Sequence, residues 1–166
     1  MISKKMQNAI NGQINAELYS AYLYLSMSAD FSTKNLPGFA NWMKIQAQEE
    51  LGHAMKLYNF IEERLGRVTL KAVDAPPTEW ESPLAAFEAV LKHEQKVTGL
   101  INKLVDQAIA ENDHATRGFL QWFVDEQIEE EASADAIVEQ LKLIKSAPGG
   151  LFMLDKELGR RTFTAE

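Results

Sequence analysis

The chain has 166 residues, 46% hydrophobic and 25% charged, with a formal net charge of −7 and no cysteine. The length suits one domain with a real core, and the missing cysteines exclude disulfides, cysteine-ligated zinc or iron, and thiol catalysis. Any metal must therefore use His, Asp, Glu and Gln, and the acidic balance favours cations over nucleic acid, because the largest basic groupings are only Lys4-Lys5 and Arg160-Arg161.

At the N terminus Lys4 and Lys5 are followed by Gln7, Asn8 and Asn11 rather than an apolar run, so no signal peptide is read there. No stretch is long and apolar enough to predict a bilayer span, and the cytoplasm is the expected compartment. From about Ser3 to Lys34, Ile10, Ile14, Glu17, Leu18, Ala21 and Leu25 recur at helical spacing and predict a first long helix. Leu36-Pro37-Gly38 punctuates it, and Pro37 suits the first turn of a second helix running to a glycine stop at Gly66. Its stripe reads Phe39, Met43, Gln46, Glu50, His53, Leu57 and Phe60.

Arg67 to Ser82, with Ala75-Pro76-Pro77, has no sustained period and reads as a connection. A helix of roughly 28 residues is about 42 Å long, and a roughly 16-residue extended segment covers about 50 Å. The connection can thus cross the whole bundle and start the next helix at its far end. Ser82-Pro83 opens a third helix with the stripe Phe87, Val90, Leu91, Glu94, Val97, Ile101, Val105 and Ala108, ending near Glu111-Asn112. Asp113 caps a fourth, with Leu120, Phe123, Gln127, Glu130, Ala134, Ile137, Leu141 and Ile144, stopped at Ala147-Pro148-Gly149-Gly150. A short fifth helix, Leu151 to about Arg161, follows at an angle the glycines leave free. The expected fold is all-α: a four-helix bundle with one long crossover and a short C-terminal helix, an arrangement of the ferritin-like type.

Each long stripe is interrupted near its middle by a charged or amide residue: Glu17, then Glu50 and His53, then Glu94, then Gln127 and Glu130. Burying four carboxylates without compensation costs several kcal/mol each. No Lys or Arg lies on these stripes near that layer, which leaves metal as the compensating charge. Carboxylates with one imidazole suit iron or manganese better than copper or structural zinc. One ion is expected on Glu17, Glu50 and His53 and a second on Glu50, Glu94 and Glu130, with Gln127 beside the second. A lone Glu-x-x-His is more often a solvated face; the coincidence of four stripes carries the metal reading. His93 and His114 are read as surface residues.

Taken together, Gln13 to Glu17, Tyr19 to Leu25, Glu49 to Ala54, Pro83 to Phe87 and Phe119 to Glu131 resemble the non-haem bacterial or archaeal ferritins over essentially the whole chain. The resemblance implies a hollow homo-oligomer of 24 subunits that oxidises Fe(II) with dioxygen or peroxide and stores a ferric mineral. It also implies a third, weaker iron position at Glu49, Glu126 and Glu129 with Glu130 shared, and a redox-active Tyr24. Haem is not expected, since Leu51 stands where the haem-binding relatives carry methionine and Gln127 with Glu130 replaces their second Glu-x-x-His. Arg117 and Leu120 match acidic pore positions of animal ferritins, so that entry route is not carried over. A rubrerythrin-like peroxide reductase would bring a cysteine-ligated iron, and a DNA-protecting mini-ferritin builds its site between subunits. A cage subunit that binds metal without oxidising it is the remaining alternative.

Overall fold

The computed structural model describes residues 1–144, 147 and 149–164, and the predicted stop at Pro148 lies outside them. Among the described residues there are five helices and no strand: α1 Lys4–Thr33, α2 Pro37–Glu63, α3 Pro83–Ala110, α4 His114–Ile144 and α5 Gly150–Leu158. No described helix is long and apolar enough to cross a membrane. The caps follow the sequence. Ser3 accepts from the Met6 amide at 3.0 Å, Ser82 from Ala85 at 3.1 Å and Asp113 from Thr116 at 3.1 Å.

Three helices end through a left-handed residue, Asn35, Leu65 and Asn112, with φ of 56°, 56° and 54°. Leu36, Gly66 and Asp113 then donate back to Phe31, Ile61 and Ala108 at 3.1, 2.8 and 2.9 Å, closing the helices as Schellman motifs do. The glycine stop of α2 is thus displaced by one position: Leu65 takes the left-handed conformation, and Gly66 is small because a Cβ there would meet Ile2 and Ile61 at 2.9 Å.

The crossover lies along α1 as its length predicts. The Arg67 amide donates to Gln7 at 3.0 Å and the Thr69 amide to Asn11 at 2.9 Å; Ser26 donates to the Pro77 carbonyl at 2.6 Å, and Lys34 reaches the Trp80 carbonyl. Backbone groups near both ends of the crossover therefore find partners along one helix. The orientation of α5 is not left to the glycines. Leu36 offers α2 no side-chain cap, and Asp155 of α5 supplies one, accepting from Gly38 and Phe39 at 2.8 and 3.1 Å. Gly38 is required there, since a Cβ would fall 1.6 Å from the Asp155 carbonyl oxygen.

Two apolar clusters fill the bundle. One holds Met27, Phe31, Phe39, Trp42, Phe87, Val138 and Leu154; the other holds Met6, Ile10, Leu57, Ile61, Ile101, Leu104 and Leu120. The predicted stripes of α2, α3 and α4 face inward. The stripe of α1 departs from expectation in its second half, where Tyr24, Met27 and Phe31 are buried and Leu25 is half exposed. A strict i+4 step drifts around a helix of 3.6 residues per turn, and the buried set corrects for that drift.

Candidate metal centre

Between the two clusters lies a polar layer to which all four long helices contribute. Glu17, Glu50, His53, Glu94, Gln127 and Glu130 are each no more than 5% exposed. The i,i+3 spacing of Glu50 and His53 brings His53 Nδ1 to 3.4 Å from Glu50 Oε2. Glu17, Glu50 and His53 can each offer a ligand atom within 4.8 Å of the others. A second trio, His53, Glu126 and Glu130, meets the same limit.

The expected second set, Glu50, Glu94 and Glu130, is held differently. Tyr24 donates its phenolic hydrogen to Glu94, and the Gln127 amide donates at 3.2 Å to both the backbone carbonyl and the carboxylate of Glu94. Glu130 accepts from Gln46 at 2.6 Å. Of the further acidic positions, Glu126 approaches His53 at 3.9 Å, Glu49 pairs with Arg161, and Glu129 is exposed.

Burial dominates the electrostatics. It pushes the Glu17 carboxyl from 4.5 up to about 7 and, with the charge of Glu94, the Glu130 carboxyl up to about 8; Glu50 and Glu94 also move up. Burial and then Lys56 hold His53 down to about 4, so its imidazole is neutral and keeps a lone pair at neutral pH. Trp122 and Phe123 fix that ring edge-on, with centroids 5.3 and 6.1 Å away. Burial and the nearby carboxylates hold the Tyr24 phenol well above its ordinary range.

One oxygen, Glu17 Oε2, is buried and has no hydrogen-bond partner, while the other accepts from Gln13 at 2.8 Å. An orphaned carboxylate oxygen facing a second carboxylate and a neutral imidazole fits a divalent cation.

Two sequence expectations need correction. His93 is half-buried rather than freely exposed: its Nε2 lies 2.8 Å from Ser20 Oγ, its ring packs 6.0 Å from Tyr24, and burial holds its imidazole down to about 4. A cation does reach the layer, although none lies on the stripes: Arg161, beyond α5, donates to Gln46 at 2.8 Å. The sequence reading gave no role to Gln13, Gln46 or Thr98. Gln13 stands four residues before Glu17, so an amide one turn from a buried glutamate was the available signal there, whereas Gln46 bonds Glu130 of another helix, which its own neighbours do not announce. Thr98 lies 3.3 Å from the Gln127 amide and had no comparable signal.

The ferritin-like domain family matches residues 7–144. Among curated relatives, the bacterial non-heme ferritin of Bacteroides fragilis is 49% identical over 97% of this chain and 100% of its own, and that of Staphylococcus aureus (strain MRSA252) is 39% identical over 100% of both. Among solved structures, an open pore ferritin from the hyperthermophilic archaeon Archaeoglobus fulgidus superposes with a TM-score of 0.97 at 59% identity, covering 98% of this chain and 100% of that one. A closed form of that ferritin engineered by site-directed mutagenesis gives a TM-score of 0.98 at 59% identity, covering 99% and 100%. Matched along nearly its whole length in sequence and in fold, this chain belongs to the ferritin family.

Proposed function

We propose that the protein takes up Fe(II) as substrate at the buried layer, oxidises it with dioxygen or peroxide as electron acceptor, and stores the ferric product within a shell of identical subunits. The observation that carries this reading is the convergence of Glu17, Glu50 and His53 within 4.8 Å, with one buried Glu17 oxygen left unpartnered. Glu17, Glu50 and His53 hold one ion; Glu94 and Glu130 hold the second, Glu50 is shared, and Gln127 orients Glu94 through its amide. In the metal-free layer the carboxyls retain protons, which leave as Fe(II) arrives, so binding and proton release are coupled. His53 contributes a lone pair because it is neutral. Tyr24 stands next to Glu94 as an electron donor during oxygen reduction.

Glu49, Glu126 and Glu129, with Glu130 shared, form the weaker third position, although only Glu126 and Glu130 gather around His53 here. Leu51 and Gln127 support a protein without haem. Assembly into a shell of 24 subunits rests on membership of the ferritin family. Tyr22, Leu25 and Leu51, each about half exposed on the α1–α2 face, suit contact with another subunit.

The test is stopped-flow absorbance after adding about two Fe(II) per metal-free subunit in air. Native protein is expected to show a fast phase that Glu50→Ala and His53→Ala both abolish while circular dichroism stays unchanged. Equal, slow oxidation by all three would overturn the assignment of the layer. A metal-binding shell without oxidation would bind the ions and show no fast phase.

A further inference from the structure

Arg161 lies beyond the last helix, yet its guanidinium is fixed at the metal layer. One nitrogen donates to Gln46 Oε1 at 2.8 Å, and Gln46 in turn donates to Glu130 Oε2 at 2.6 Å. The other nitrogen pairs with Glu49. The guanidinium plane packs 4.5 Å from the centre of the Trp42 ring, and the Arg161 carbonyl accepts from Asn41 at 3.0 Å. Asp155, which caps α2, anchors the same segment from its other side. The tail then continues to Thr164, which lines a cavity of about 50 Å³ together with Glu49, His53 and Lys56.

A guanidinium held by aromatic packing, a backbone bond and a fork of two donors is a pre-organised cation. We propose that Arg161 is a tethered counter-cation on Glu49 and on the Gln46–Glu130 pair, so that a third divalent ion binds beside the first two only by displacing it. The guanidinium limits fast uptake to two ions and gates passage from the paired site, past Glu49, toward the tail-covered cavity. It is a positioning and selectivity residue and touches neither ion of the pair. The proposal rests on the reading of the layer as a two-ion site and adds the competitor for the third.

The test uses Zn(II), which binds without redox chemistry, in anaerobic calorimetric titration of the whole assembled protein. Native protein is expected to take two ions tightly and a third weakly. Arg161→Gln should leave the first ion unchanged and tighten the third by roughly tenfold or more, whereas Arg161→Lys, which keeps the charge but loses the fork of donors and the stacking, should lie between native and Arg161→Gln. An unchanged or weakened third site in Arg161→Gln, or a third site tighter in Arg161→Lys than in Arg161→Gln, would overturn the proposal while leaving the two-ion site intact. Failure of native protein to take two ions would overturn the underlying reading as well. A zinc-soaked crystal of unaltered protein needs no variant: the guanidinium should have left Glu49 wherever a third ion is bound, and a third ion bound with the Arg161–Glu49 pair still in place sinks the idea.

Discussion

Gln13 holds one oxygen of Glu17 at 2.8 Å, and the opposite oxygen of the same carboxylate is buried with no partner. The amide therefore fixes the direction in which Glu17 presents its open lone pairs. Gln13→Ala is expected to weaken Zn(II) binding at the first position by about 10–100-fold, the usual cost of losing a partner that orients a ligand. Glu17→Gln should lose that position outright while the metal-free protein melts no lower than native, because a buried carboxyl has been replaced by a neutral isostere. Calorimetric titration and thermal melts on the two variants check both statements. Unchanged zinc affinity in Gln13→Ala would show that the amide serves only packing.

Stability without metal should fall as pH rises from about 6.5 to about 8. Glu17 and Glu130 are held at about 7 and about 8 in the folded chain, against 4.5 for an ordinary glutamate. Between about 4.5 and 6.5 the folded chain keeps glutamate protons that the unfolded chain has lost, but the unfolded chain protonates His53 and His93, which burial holds down to about 4 in the folded chain, and the two trends offset; from about 6.5 to about 8 only the glutamates differ, and unfolding is increasingly favoured. Zinc-saturated protein should show the opposite slope, since metal replaces those protons. Melting temperatures of chelator-treated and zinc-loaded protein across this window provide the comparison, and a metal-free protein that gains stability toward pH 8 would contradict the protonated layer.

Tyr24→Phe removes the hydrogen that Glu94 accepts and leaves a fully buried ring in place. A loss of about 1–3 kcal/mol in stability is expected from the under-satisfied carboxylate. Rapid-freeze electron paramagnetic resonance after mixing with Fe(II) and air should show an organic radical in native protein and none in the variant. A radical that persists in Tyr24→Phe would assign it elsewhere, with Trp122 against His53 the first place to look.

Leu65 sits at φ 56° where the equivalent residues after α1 and α3 are asparagines. A left-handed conformation costs a leucine about 1–2 kcal/mol and an asparagine less. Leu65→Asn should raise the urea midpoint by an amount equivalent to about 1 kcal/mol, measured at fixed subunit concentration. A lower midpoint would mean that the leucine side chain, 77% exposed, contributes packing the subunit needs.

The helices, their caps and the crossover were legible because each rests on a local signal: a 3.6-residue period, Ser or Asp at a cap, and a proline-rich interval long enough to span the bundle. The inward layer was legible for the same reason, as Glu17, Glu50, His53, Glu94, Gln127 and Glu130 sit in step with leucines and phenylalanines. What the sequence concealed depends on contacts distant in the chain. Nothing near Arg161 announces that it meets Gln46, nor does anything near Asp155 announce that it caps α2. His93 looked solvated because its partner, Ser20, lies on another helix. The drift of the α1 stripe from Leu25 to Tyr24 and Phe31 was the period itself, followed with too long a step.

The crossover's bonding has a consequence for the order in which the molecule is made. Gln7, Asn11, Ser26 and Lys34 all precede the segment they hold, and Glu17, Glu50 and His53 all belong to the first hairpin. On the ribosome, where the N-terminal part emerges first, the four residues that bond the crossover and the whole of the first trio are made before Ser82 is added. The nascent first hairpin can therefore be fastened along its outer edge, with one half of the centre in place, before the second hairpin is complete and closes over it.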